Sequence, residues 1–175
     1  MAALAELHFV IPEAILLLVG ETYTEEQGFL ASLRDSVSAL GLEPFVRFLG
    51  FVEDVRELYS ASDVAILCTH SEPSGRVVLE AMAMGVPIVA PQSGGPREII
   101  EDALSGLLYD PTSVVSLAAA INRVYSNPTF RSTMISNALR RVKVFSIQNH
   151  VAAICGVYQS LIGSRKAANR NRTKT

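Results

Sequence analysis

The densest run of chemically capable residues is Glu72-Pro73-Ser74-Gly75-Arg76-Val77-Val78-Leu79-Glu80. The apolar run Val64–Leu67 just before it predicts a buried strand, so Glu72 falls in the loop beyond that strand's carboxyl end. Open α/β sheets bind their ligands at that edge. Ser74 and Gly75 then open a helix, with the serine placed to cap it, and the first N–H groups of a helix form an anion site. Gly75 has no Cβ, so a phosphate can approach its backbone closely. Glu80 lies one turn in, on the face of Arg76 and Val77. A carboxylate in such a place accepts hydrogen bonds from both hydroxyls of a vicinal diol. Diol reader, phosphate cradle and second diol reader is a layout that suits a nucleoside-diphosphate sugar. A plainer arrangement fits the same residues: Glu72 solvated and Glu80 paired with Arg76 across one turn.

Other chemistries find no residues to carry them. The only lysines are Lys143, Lys166 and Lys174, none behind a glycine loop, so there is no P-loop. Neither a G-x-G-x-x-G nor a G-x-S-x-G occurs, and there is no Asp-x-Asp for a divalent metal. His8, His70 and His150 are scattered without a C-x-x-C or H-E-x-x-H, which argues against zinc. Downstream, Gly94-Gly95-Pro96-Arg97-Glu98 reads as a tight turn into a short helix that Glu98 caps.

The elements that must position this segment alternate between two periodicities. Strands are predicted at Ile15–Val19, Phe45–Leu49, Val64–Leu67, Pro87–Ala90 and Gly106–Tyr109. Helices are predicted at Met1–Leu7, Glu25–Leu40, Asp54–Ala61, Arg76–Met84 and Gly95–Glu101, then three in succession at Thr112–Ser126, Pro128–Val144 and Ile147–Ile162. Asn127-Pro128 supplies an N-cap followed by proline at the first helical position. The expectation is an α/β domain, a Rossmann-like parallel sheet flanked by helices, with terminal helices. Its first element is a helix where such a unit leads with a strand, so the domain at 1–163 is expected to lack its first strand.

At 175 residues, 49% hydrophobic and 18% charged, the chain can bury one core without staples and is too apolar to be disordered. Five of its 15 basic residues lie in residues 164–175, read as a basic disordered tail. Residues 1–163 keep 10 basic against 17 acidic residues, an acidic body that argues against nucleic acid as a partner. Cys68 and Cys155 stand in apolar runs and read as buried free thiols of a reducing compartment, with cytoplasm the expected location. The longest apolar run near the start, Ala14–Val19, is too short to span a membrane.

Taken together, Ser71 to Gly75, Glu80 to Ala90 and Gly94 to Ile99 resemble the family 4 (group 1) retaining glycosyltransferases, in the C-terminal, nucleotide-sugar-binding half of their GT-B fold. The E-x₇-E pair matches at Glu72 and Glu80. The likeness extends to Phe48-Leu49-Gly50-Phe51-Val52, to Leu58 through Val64 and to Gly106 through Pro111, covering roughly residues 10–160. The resemblance implies that Glu80 binds the ribose hydroxyls and that Glu72 contacts the donor sugar as the catalytic position. It implies that the amides of Gly75, Arg76 and Val77 hold the diphosphate, and that the backbone of Val52 touches the nucleobase. It implies transfer from a nucleoside-diphosphate sugar without metal or other cofactor, the leaving diphosphate being stabilised by a helix N-terminus and a basic pair.

Three departures bear on this. Pro73-Ser74 replaces the aromatic residue usual before the glycine, and Cys68-Thr69 stands where Pro-Ser is common. The family's arginine and lysine that neutralise the diphosphate lie upstream of the first helix, whereas the first arginine here is Arg34. An acceptor-binding N-terminal domain is not in the sequence, and any peripheral membrane association would run through it. The last helix, with Val151, Ile154, Val157, Tyr158 and Leu161 at helical spacing, either packs on that other half or folds back on its own domain. The readings that follow are the donor-binding half of a transferase, a nucleotide-binding subunit served by a partner chain, or a binding module without chemistry. A sugar-nucleotide epimerase is more distant, with His70 beside Glu72 its one hint.

Overall fold

A computed structural model describes residues 1–21, 27–69 and 72–172. His70 and Ser71, which the sequence reading singled out, lie outside the described residues. Thirteen main elements follow one another: α1 (Ala2–Leu7), β1 (Leu16–Val19), α2 (Gln27–Ala39), β2 (Val46–Gly50), α3 (Arg56–Ser60), β3 (Ala65–Ile66), α4 (Arg76–Ala83), β4 (Ile88–Pro91), α5 (Pro96–Ile99), β5 (Leu107–Tyr109), α6 (Val114–Ser126), α7 (Pro128–Arg141) and α8 (Ile147–Arg172). Every predicted strand is present. The cap expected at Asn127 is present, its Oδ1 accepting from Phe130 N at 3.0 Å with Pro128 at the first helical position, and Ser113 caps α6 by accepting from Ser116 N.

All strand pairs are parallel, as βα alternation requires. The sheet is not continuous, however. Among the described residues β1 pairs only with β2, and β3, β4 and β5 form a second group in that order. Leu16 stands opposite Val46, Ala65 opposite Ile88, and Val89 opposite Leu107. The central strand β4 is buried at every residue, whereas β1 and β3 are only half-buried despite their continuous apolar runs. The burial of β4 is what a strand covered on both faces by helices looks like.

Two of the hydrophobic clusters carry the three-stranded group. Leu107, Tyr109, Ile121, Val124 and Met134 pack β5 against α6 and α7, with Leu7 and Ile11 from the chain's start. On the other side Val78, Ala81 and Met82 of α4 pack on Ile88 and Ala90 of β4 and on Ile99. Leu4, Val37, Leu42 and Val46 form a third cluster around β1 and β2. α1 therefore contributes to both halves, Leu4 to one and Leu7 to the other. Fully burying one such Met, Ile or Val contributes roughly 1.5–3 kcal/mol.

Three expectations need correction. Residues 147–162 of α8 are exposed throughout, so the helix does not fold back on its own domain. Its backbone stays helical to Arg172, ten residues past the expected end and into the segment read as a disordered tail. Both cysteines are free but exposed: Cys68 follows the short strand β3 out of the sheet, and Cys155 rides on α8. No helix among the described residues is long and apolar enough to cross a membrane.

Candidate functional site

The site begins with the face that α4 turns to its sheet. Val78, Ala81 and Met82, at positions i, i+3 and i+4, are buried against β4. That spacing forces Arg76, Val77 and Glu80 onto the other side of the helix. Gly75 is the N-cap, in the left-handed region at φ +74°, which a residue with a side chain adopts only at a cost. The N–H groups of Arg76 and Val77 follow in the first turn, ahead of any intrahelical acceptor.

Glu72 does not lie loose in solvent. Its Oε1 accepts from Gly75 N at 2.9 Å, from Ser74 N at 3.1 Å and from the Ser74 hydroxyl at 3.3 Å. The carboxylate thus caps the approach to α4, the role expected of Ser74, whose hydroxyl donates to the carboxylate and bonds no helical N–H. The Gly75 and then the Ser74 amide hold the Glu72 carboxyl below its ordinary value. Of the three amides expected to cradle phosphate, that of Gly75 is therefore already engaged.

The loop is fixed from behind by the glycine turn. Gly95 N donates to Glu72 O at 2.8 Å. A Cβ on Gly94 would stand 2.2 Å from Glu72 O, and one on Gly95 would stand 2.7 Å from Ser74 O. The two glycines are required by close backbone approach, beyond the turn chemistry read from sequence. Pro96 and Ile99 of α5 back Gly75. α5 is in turn clamped by Arg141, whose Nε and Nη2 donate to Ile99 O and Glu98 O, each at 3.0 Å, while Nη1 pairs with Glu101 at 3.1 Å. Glu98 serves through its carbonyl, and its exposed side chain makes no cap.

Among the described residues Glu80 has two partners. Arg76 Nε lies 3.2 Å from Oε1, the pairing the plainer sequence reading allowed. The Tyr59 hydroxyl lies 3.3 Å from Oε2 and 3.4 Å from Val77 O. Burial first, then the Glu80 charge, pushes the Tyr59 phenol up to about 12, so it stays a neutral donor. Sequence reading missed this residue, although it stands inside the Leu58–Val64 stretch that carried part of the resemblance.

Glu72, Gly75, Arg76, Val77 and Glu80 thus share one helix start at the carboxyl ends of β3 and β4. Val52 stands apart, two residues past Gly50 in the loop after β2. Its loop leads directly into α3, which brings Tyr59 to α4. Among the described residues no group of three or more His, Cys, Asp or Glu side chains is placed to hold a metal ion. What the arrangement offers is an anion site at a helix start with a carboxylate on either side of it.

Comparison with known proteins agrees with this geometry. The family model for glycosyl transferases group 1 matches residues 1–141. An uncharacterized glycosyltransferase of Methanocaldococcus jannaschii is 36% identical over 130 residues, 73% of this chain and 33% of its own length. The lipopolysaccharide core biosynthesis glycosyltransferase LpsE of Rhizobium meliloti is 31% identical over 155 residues, 89% of this chain and 43% of its own. Among solved structures, Anabaena HepE in complex with UDP superposes with a TM-score of 0.84 at 34% identity, over 90% of this chain and 43% of that one. The chain spans less than half the length of each of these proteins. It belongs to the group 1 glycosyltransferases and has the Rossmann-like α/β architecture of the C-terminal-type half of their GT-B fold.

Proposed function

We propose that this chain is the donor-binding part of a retaining glycosyltransferase, acting on a nucleoside-diphosphate sugar without metal. The observation that carries the reading is the start of α4, where Glu72 and Glu80 flank two first-turn amides that have no acceptor within the helix, at the carboxyl edge of a parallel sheet. HepE, built on the same fold, has been crystallised with UDP and with UDP-glucose. Glu80 then takes the ribose hydroxyls. The amides of Arg76 and Val77 take the diphosphate, since that of Gly75 already serves Glu72. The three hydrogen bonds to Glu72 among the described residues fall on Oε1, and Oε2 is the oxygen that meets the sugar in this reading. The backbone of Val52 meets the base. Charge developing on the leaving diphosphate is stabilised by the helix start.

On this reading transfer also needs an acceptor half and further positive charge beside the diphosphate. A second reading, a nucleotide-binding subunit that works with a partner chain, is favoured by the exposed apolar side of α8, where Val157, Tyr158 and Leu161 are each about 60% exposed.

Thermal unfolding with UDP, GDP and ADP, repeated on Glu80→Ala, tests the proposal. A nucleotide at a hundredfold excess over its Kd adds about 2.7 kcal/mol, or roughly 5–10 °C for a chain of this size. The expected result is a rise with one nucleotide that Glu80→Ala abolishes. No rise with any of them, or an equal rise in the variant, would sink it.

A further inference from the structure

The two groups that hold Glu80 differ in kind. Arg76 reaches Oε1 from the same helix, and its side chain is 87% exposed. Such a pair is weak, screened by salt and readily exchanged. Tyr59 reaches Oε2 from another element, across 21 residues of sequence. Its ring packs against the cluster of Val78, Met82 and Ile88, and its hydroxyl also lies 3.4 Å from Val77 O. A phenol also has fewer rotatable bonds to order than an arginine.

Carboxylate geometry makes the difference matter. An ionised carboxylate offers about four lone-pair positions, two on each oxygen. A vicinal diol that binds it end-on uses one on each. Tyr59 occupies a single position on Oε2 and can remain while a diol binds. Arg76 meets Oε1 through a side chain that is 87% exposed, and can swing away from it.

The geometry points to Tyr59 as a positioning residue for diol recognition: its hydroxyl anchors Glu80 Oε2 from α3 and keeps the carboxylate turned toward a ribose while Arg76 exchanges. The inference rests on the reading of Glu80 as the group that takes ribose hydroxyls. Tyr59 touches no ligand in this scheme. Its contribution is to spare Glu80 the ordering that ribose binding would otherwise demand.

The test is calorimetric affinity for whichever of UDP, GDP and ADP binds, and for its 2′,3′-dideoxy counterpart, in the wild-type chain, Tyr59→Phe, Glu80→Gln and the double variant. Tyr59→Phe keeps the ring in its apolar contacts and removes only the hydroxyl. The wild-type chain is expected to prefer the ribonucleotide by tenfold or more. Tyr59→Phe should weaken the ribonucleotide about fivefold, in line with one lost hydrogen bond to a charged partner acting indirectly, and leave the dideoxy compound within about twofold. The unchanged dideoxy affinity also reports that the variant is folded. In the Glu80→Gln background, Tyr59→Phe should add nothing. Equal weakening of both nucleotides would mean that the hydroxyl supports the fold and not the diol, and no weakening of either would mean that Tyr59 only packs; each result overturns the inference while Glu80 keeps its role. A wild-type chain without preference, or without nucleotide affinity, would remove the reading of Glu80 and this inference with it.

Discussion

Replacing Gly94 by alanine puts a methyl group where the backbone of the Glu72 loop already lies. The new Cβ would stand 2.2 Å from Glu72 O and 3.0 Å from its carbonyl carbon, at a residue held at φ +59°. No flexible side chain is there to yield, so the Glu72 peptide itself must shift. That shift breaks the 2.8 Å bond from Gly95 N to Glu72 O and carries the Glu72 carboxylate away from Gly75 N. Holding an L-residue in the left-handed region costs about 1–2 kcal/mol, and one neutral hydrogen bond about 0.5–1.5 kcal/mol. Together these give a loss of about 2–3 kcal/mol, or a fall in Tm of roughly 5–10 °C for a chain of this length. Gly28→Ala is the control. Gly28 sits in α2 with no heavy atom within 4 Å of the new methyl and no left-handed φ, so alanine should stabilise by about 0.5–1 kcal/mol. Scanning calorimetry on both variants decides the matter. A Gly94→Ala chain that melts within about 2 °C of wild type would refute close backbone approach as the reason for the glycine.

Two further predictions follow from the same segment. The Glu72 carboxyl is held below its ordinary value of 4.5, so it contributes stability above that value and loses it as pH falls through the lowered one. Between about pH 5 and pH 3 the Tm of wild type should therefore fall more steeply than that of Glu72→Gln, and parallel curves would contradict the hydrogen bonding described. Arg141→Ala removes a half-buried clamp on two carbonyls of α5 and should lower stability by about 2 kcal/mol, read as a Tm drop of roughly 4–8 °C. Arg140→Ala, which removes an exposed side chain bonded to Asn137, should change little.

How legible the fold was depends on how local its causes are. Apolar runs such as Leu16–Val19 and Ile88–Ala90 announce strands by themselves, and Asn127-Pro128 announces a helix start, because both signals lie within a few residues. Strand pairing is non-local, so nothing in the runs says that β1 and β3 are not neighbours. The same limit governs the site. Glu80 follows Arg76 by four residues and Val77 by three, a local spacing that puts all three on one side of the helix, opposite the buried Val78, Ala81 and Met82. A carboxylate three residues before a helix can turn outward or back onto its own amides, and the spacing of Glu72 does not distinguish the two. Tyr59 and Arg141 act across 21 and 42 residues, and their types alone give no hint of it. The glycines of Gly94-Gly95 were readable as a turn, but the chain they lie against was not.

On the proposed reading, the resting site favours recognition of a nucleotide as a whole. Glu72 places a negative charge at the positive end of α4, where the diphosphate is proposed to bind, and that charge opposes an arriving anion. Arg76, on the first turn of the same helix, is the cation nearest to hand, yet at rest it is paired with Glu80. On the proposed reading, ribose hydroxyls that engage Glu80 displace Arg76 and so release a positive charge beside the phosphates at the moment they arrive. A ligand that brings phosphate without a diol leaves the pair closed and meets Glu72 uncompensated. Ribose and diphosphate binding then support each other through one side chain, and the short helix α4 can discriminate a nucleotide from either of its parts.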